Sequence, residues 1–422
     1  MSKRYGMWSY AAGAALARTG DEMSGPALLL AGLAATGSAS AASTLLAGLM
    51  VSAAVGGPVF GMLLDRAERP GRLLAGALGG YAGALVVILA MLGRAPVAAT
   101  VLVAAGAGLL GPALSGGWTA QLPGAVSPER LPRANAVDAM TFNVAGLLGP
   151  AAAGLVASLA GAPAGVAVAA ALICCALPAA WGLPRTRTRE SRAPRASPTA
   201  GFRAVLHSRP LARATVTSVL SCLSEGMLVA CCPLLGAQVL GGAGRGALLL
   251  SLVAVAALAA NAAITRSPRV MASPDQVIRV SALALGTALT VAATLQPVLL
   301  IAAVTLAGAA QGPQLTALFA VRHRESPDHL RGQIFTTGAS LKITGFAIGA
   351  GVAGPLATWS LPGALLAAAG MQLLPMAVAL CIRGRRPVPH TDGGRPPGIV
   401  NAPAAEPMER TVDQEQHPLA NT

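Results

Sequence analysis

Charge is scarce in this chain. Only 11% of its 422 residues are Asp, Glu, Lys or Arg, against about a quarter in soluble globular proteins, and so little charge cannot keep several water-facing domains in solution. Lysine is almost missing, at two residues (Lys3 and Lys342) beside 28 arginines, a codon-usage mark of a GC-rich bacterial genome. The five histidines, His207, His323, His329, His390 and His417, all read as lying outside the apolar blocks, and no H-E-x-x-H occurs. That excludes an intramembrane hydrolase or acyltransferase, which needs His, Asp or metal ligands at membrane depth. No G-x-x-x-x-G-K-[ST] loop is present, which argues against a nucleotide-driven pump. Six cysteines, Cys174, Cys175, Cys222, Cys231, Cys232 and Cys381, fall in or beside apolar blocks and read as small packing residues rather than a disulfide framework.

What is present is apolar and small. Hydrophobic residues make up 54% of the chain, with 50 glycines and a mean hydropathy of +0.63. That is a membrane composition in which small side chains let helices approach closely. A bilayer core about 30 Å thick takes roughly 20 apolar residues of helix. Twelve such blocks lie near 8–35, 43–64, 73–93, 97–121, 136–160, 163–183, 214–238, 246–265, 277–296, 298–321, 334–358 and 362–382. The net charge of +14 is carried between the blocks, so it reads as topology charge, and no nucleic-acid partner is expected. Of the 30 basic residues, only Arg94 and Arg245 fall on the opposite side, and only Arg18 and Lys342 fall within spans. By the positive-inside rule both termini are cytoplasmic and the protein is a multi-pass plasma-membrane protein. Trp8, Trp181 and Trp359 sit at span ends, where indoles prefer the interface. Gly37 to Ala41 resembles a signal cleavage site, but Arg18, Asp21 and Glu22 interrupt the apolar stretch before it, so no cleavage is expected.

The expected fold is all-α, with twelve transmembrane helices in two pseudo-symmetric six-helix bundles. Residues 1–183 form the first half, 184–213 a basic cytoplasmic linker, 214–382 the second half and 383–422 a disordered cytoplasmic tail. The linker carries Arg185, Arg187, Arg189, Arg192, Arg195, Arg203, Arg209 and Arg213 against Glu190, a pattern that attracts anionic lipid. The halves repeat: Ser127-Pro128-Glu129-Arg130-Leu131 matches Ser326-Pro327-Asp328-His329-Leu330, and Asp21 in span one pairs with Glu225 in span seven. Parallel repeats of this kind place a substrate site at mid-membrane between them.

Gly61-Met-Leu-Leu-Asp65-Arg66-Ala-Glu-Arg69-Pro-Gly-Arg72, between spans two and three, resembles the G-x-x-x-D-R-x-G-R-[RK] signature of the major facilitator superfamily. Glu68 and Pro70 depart from it. Gly61 permits close helix approach, and Asp65 is expected to cap a helix end or pair with Arg at a cytoplasmic gate. Span five carries Gly146-x-x-Gly149-Pro150-x-x-x-Gly154, and span eleven carries Gly349-x-Gly351-x-x-Gly354-Pro355. The first resembles the antiporter motif of that superfamily, with Ala145 and Ala153 at two usual Gly positions, and both read as helix-packing seams. Leu131-Pro-Arg-Ala-Asn-Ala136 and Thr19-Gly-Asp21 resemble its drug and macrolide efflux branch. The resemblance implies a monomeric secondary transporter exporting a small organic molecule by alternating access. Proton-coupled uptake is the rival, and a non-transporting receptor the remote one.

Charges inside a bilayer are functional by default. Asp21, Glu22 and Glu225 are the expected proton-coupling residues, with Asp21 preferred and Arg18 expected to neutralise a carboxylate one turn away. Asp138 reads as too near the start of span five to be buried, and span four contains no basic residue. Cavity candidates are Arg18, Trp118, Gln121, Phe142, Asn143, Asn261, Gln311 and Lys342. No catalytic residue, metal or cofactor is expected; the proton gradient supplies the energy.

Overall fold

The computed structural model describes residues 6–184, 197–242 and 245–382. Arg185, Arg187, Arg189, Arg192 and Arg195 of the basic linker and the whole 383–422 tail lie outside the described residues. Among those described there is no strand. Helices occupy all twelve apolar blocks, with one short helix between the sixth and the seventh. They are α1 (Met7–Thr36), α2 (Ala39–Arg66), α3 (Pro70–Met91), α4 (Val97–Ala120), α5 (Leu131–Ala160), α6 (Ala162–Trp181), α7 (Ala200–His207), α8 (Arg209–Val239), α9 (Gly246–Arg266), α10 (Pro274–Ala292), α11 (Pro297–Glu325), α12 (Arg331–Trp359) and α13 (Leu361–Ile382). Ten of these are long and apolar enough to cross a membrane; α1 carries Arg18, Asp21 and Glu22 in its middle, and α13 is described in full only to Pro375. In hydrocarbon every backbone amide needs a partner within its own segment, and a helix supplies it.

Local chemistry sets the ends. Proline opens α3, α10 and α11 at the first turn, where its missing N–H costs nothing. Ser38 and Ser208 cap α2 and α8 by accepting from the amides of Ala41 and Leu211. α1 stops at Gly37, whose φ of 64° lets its amide turn back to the Leu33 carbonyl. α5 and α11 extend further toward the arginine-rich end than the apolar blocks do. α5 starts at Leu131 because Pro132 tolerates the first turn, and α11 continues through Arg322, His323 and Arg324.

Packing repeats between the two runs of six helices. α1 packs against α5 and α6, as α8 packs against α12 and α13; α2 meets α4, as α9 meets α11. The glycine-rich rows of α5 and α12 differ in what each glycine meets. Ala145, Gly149 and Ala153 are the buried ridge of α5, and a Cβ on Gly149 would stand 2.7 Å from that of Glu22 on α1. Gly345, Gly349 and Ala353 are the corresponding ridge of α12, with Gly349 against the Leu223 backbone. Gly146, Gly154 and Gly354 meet nothing within 4 Å of a Cβ, because they lie off the i, i+4, i+8 row that faces the neighbour. Trp8, Trp181 and Trp359 are exposed at helix ends. Cys222, Cys231 and Cys232 are buried and Cys174 and Cys175 exposed, all with free thiols; the Cys381 side chain lies outside the described residues.

Candidate functional site

A cavity of about 430 Å³ lies between the two runs of helices. Asp21 and Glu22 reach it from α1, Phe142 and Asn143 from α5, Glu225 from α8, Gln311 from α11 and Lys342 from α12. Glu22 is the carboxylate most open to it, while Asp21 and Glu225 are half-buried. Gln311 Nε2 donates to Glu225 Oε1 at 2.7 Å. Glu22, rather than Asp21, lies within charge range of both Glu225 and Lys342. Asp21 turns back into its own half, where its carboxylate lies near the Tyr81 hydroxyl and Ser24 donates to its carbonyl. Three acidic groups, one ammonium and the Arg322 guanidinium thus share a chamber walled by Met50, Leu228, Val253 and Leu285, where a low dielectric magnifies each charge.

Arg18 does not line the cavity, and its ion pair is with Asp138 rather than with any of these carboxylates, although its charge reaches Asp21. It is 2% exposed and forms an ion pair with Asp138 at 2.8 Å. The guanidinium also donates to Thr119 Oγ1 at 2.9 Å, to the carbonyls of Asp138 and Ser115, and to Thr141 Oγ1. Asp138, at 0% exposure, further accepts from Tyr10 at 2.9 Å and Thr119 at 2.8 Å. The longer α5 places it two turns inside the helix. α4 assists by changing to a five-residue π turn over Ala113–Gly117, just after Pro112, which presents Ser115 and Thr119 to α1. Phe142 lies above, 3.7 Å from the Arg18 guanidinium and 5.4 Å from Lys342 Nζ.

Other candidates are displaced as well. Trp118 is fully buried and meets Tyr10 edge-on at 5.7 Å. Gln121 stands at the break after α4, outside the cavity lining. Asn261 is buried between α9 and α11 and accepts from Thr316 at 2.9 Å. Register on the helix turns Trp118 and Asn261 away from the chamber. His323, expected outside the spans, is buried within α11, and Arg322 beside it lines the cavity at 2% exposure.

The arginine-rich end is closed by a hydrogen-bonded seam between α2 and α12. Asp65 accepts from the amides of Gly332 at 2.6 Å and Gln333 at 2.8 Å. It thus caps the start of α12 across the two halves, and its direct partners are amides rather than an arginine. Thr336 donates to the Gly57 carbonyl at 2.7 Å, Gly57 N–H to Ser340 Oγ at 3.0 Å, and Ser340 to the Ala53 carbonyl at 2.5 Å. Gly57 and Gly61 lie one turn apart, and a Cβ on Gly61 would stand 2.5 Å from the Gln333 Cα. Of the other motif residues, Arg72 lies 5.0 Å from the Trp181 ring. Gln333 joins the linker helix as well, accepting from Gly201 N–H at 2.6 Å and donating to the Ser197 carbonyl at 2.9 Å. Ala136 of α5 is buried with Ile264, Ala317 and Val321 at the same end. The Gly57/Gly61 and Thr336/Ser340 spacing is a small-residue pattern visible in the sequence; the pairing of the two is not.

The family model of the Major Facilitator Superfamily matches residues 10–273, more than half of the chain. The chain belongs to the major facilitator superfamily. It is therefore a multi-pass membrane transporter and not an enzyme. No curated protein matches its sequence. Among solved structures it is similar to a bacterial homologue of the iron transporter ferroportin in an outward-facing state, with 16% identity, a TM-score of 0.72, and 90% of this chain and 99% of the other covered. The human organic anion transporter MFSD10 gives 18%, 0.69, 90% and 99%. The E. coli fucose:proton symporter FucP gives 16%, 0.63, 90% and 99%. At these identities the likeness is one of fold.

Proposed function

We propose that this superfamily member is a proton-driven exporter of a small organic molecule, working by alternating access at the plasma membrane with both termini cytoplasmic. Twelve spans in two six-helix bundles enclose the cavity, and the protein works as a monomer, with anionic lipid at the linker. The seam of Asp65, Gly57 and Ala53 with α12 is the closed cytoplasmic gate of an outward-open state. The observation that carries the reading is the meeting of Glu22 and Glu225, with Gln311 and Lys342, in one cavity on opposite halves. Protonation of Glu22 removes a charge between the halves, and deprotonation restores it. The bundles' relative positions thereby come to depend on the proton. Glu22 replaces Asp21 as the preferred carrier because it is the more open to the cavity and closer to the second half's charges. The efflux-like text at 131–136 favours export; uptake symport uses the same carboxylates.

Reconstituted vesicles separate the two whatever the insertion direction. An acid interior drives inward accumulation by an antiporter, and an acid exterior drives it by a symporter. A panel of dyes and antibiotics should accumulate with acid inside. Glu22→Gln should abolish that accumulation while leaving solute exchange at equal pH intact. Accumulation with acid outside would instead establish symport, and indifference to both gradients would remove the proton from the mechanism.

A further inference from the structure

Toward the arginine-rich gate the cavity ends in a pocket lined by Ser218 and Cys222 of α8, Gln314, Phe319 and Arg322 of α11 and Phe335 of α12. Three buried side chains there have hydrogen-bonding atoms without partners: Arg322 Nε and one of its terminal nitrogens, Gln314 Nε2 and Ser218 Oγ. Their residues are 2%, 3% and 1% exposed. Each of these groups can donate, and the described ion pairs include no carboxylate for Arg322. An arginine cannot shed its proton to escape burial, so a guanidinium in this position calls for an anion.

The first half shows what such a group receives when the chain itself satisfies it. Arg18 has Asp138, two threonine hydroxyls and two carbonyls. The second half holds a glycine at the comparable place. Asp138 is the eighth residue of α5 and Gly338 the eighth of α12, and a Cβ on Gly338 would stand 3.0 Å from the Arg322 guanidinium carbon. The carboxylate is missing where the cation arrives, and that place opens into the transport chamber.

We infer that the missing anion belongs to the cargo: Arg322, Gln314 and Ser218 form a subsite for the carboxylate of an organic anion whose apolar body lies along Leu318, Phe319 and Phe335. This deepens the transport reading and rests on it for the cavity's role. Bound there, the carboxylate completes a charge-assisted set of donors beside the gate formed by α2 and α12, so occupancy and gate are adjacent.

The test uses the full-length protein in detergent, with monocarboxylates of six to twelve carbons, aliphatic and aromatic, as probes and the alcohols and amines of the same skeletons as controls. Carboxylates should raise the unfolding temperature saturably, and their alcohols and amines should not. Arg322→Gln should weaken the apparent affinity about tenfold or more, the loss expected for a hydrogen-bonded charge, and Arg322→Lys should retain part of it. The unliganded Arg322→Gln protein should be as stable as wild type or more so, since it loses an uncompensated cation. A purely structural arginine would lower that stability and leave carboxylate binding untouched. The inference is overturned by the absence of any carboxylate effect in wild type, or by an effect that survives Arg322→Gln. Gradient-driven movement of amines or neutral compounds without a carboxylate effect sinks the subsite and leaves the transporter reading in place. Carboxylate binding without movement in vesicles does the reverse.

Discussion

The pair Arg18–Asp138 offers a measurement whose size the structure dictates. Asp138→Asn is nearly isosteric but leaves the Arg18 charge buried at 2% exposure with only hydroxyls, carbonyls and an amide around it. Loss of one partner of a buried pair costs about 3–5 kcal/mol. Arg18→Met should cost less, about 1–3 kcal/mol, because Asp138 keeps the Tyr10 and Thr119 donors at 2.9 and 2.8 Å. Replacing both with apolar residues of similar volume, Arg18→Met with Asp138→Leu, removes the uncompensated charge and should recover most of the loss. The coupling energy is then about 2 kcal/mol or more. Unfolding midpoints of the four proteins in one detergent supply the cycle. Two single variants that each cost under about 1 kcal/mol and simply add in the double variant would show that the pair is not coupled, and the account of this half's core would fall.

The seam at the gate and the ridge on α5 give two further expectations. Asp65→Ala frees two amides at the start of α12, so spin labels on α2 and α12 at the arginine-rich end should report a population with larger separation; unchanged distances would mean that the apolar contacts alone hold the gate. Ser340→Ala removes two cross-helix bonds at about 1 kcal/mol each and should shift the same distribution less. Gly149→Val should abolish transport or folding, because its Cβ meets Glu22 at 2.7 Å, whereas Gly154→Val, with nothing within 4 Å, should transport as wild type does; equal effects would dismiss the ridge.

Composition and spacing alone were enough to locate twelve helices and the Asp65 motif, because hydropathy and proline act locally along the chain. The same information singled out the carboxylates at 21, 22 and 225 as functional candidates, since a charge within an apolar block has few other reasons to exist, and all three line the cavity. It also misread three residues for one physical reason. Asp138, Arg322 and His323 stand where a span meets its flanking charges, and a linear text gives them the same standing as Arg324 or Arg130. Only the packed structure lengthens α5 and α11 past the apolar edge and rotates Arg322 inward while Arg324 faces out toward Asp275. Register decides the rest. One position along the helix separates the buried row of Ala145, Gly149 and Ala153 from Gly146 and Gly154, which meet nothing, and register likewise turns Trp118 and Asn261 into the protein while Phe142 and Gln311 line its chamber. Which segments are apolar helices was legible in the sequence, because each helix answers to its own composition. Which residues face one another was settled only by the tertiary structure, because facing is a property of two helices at once.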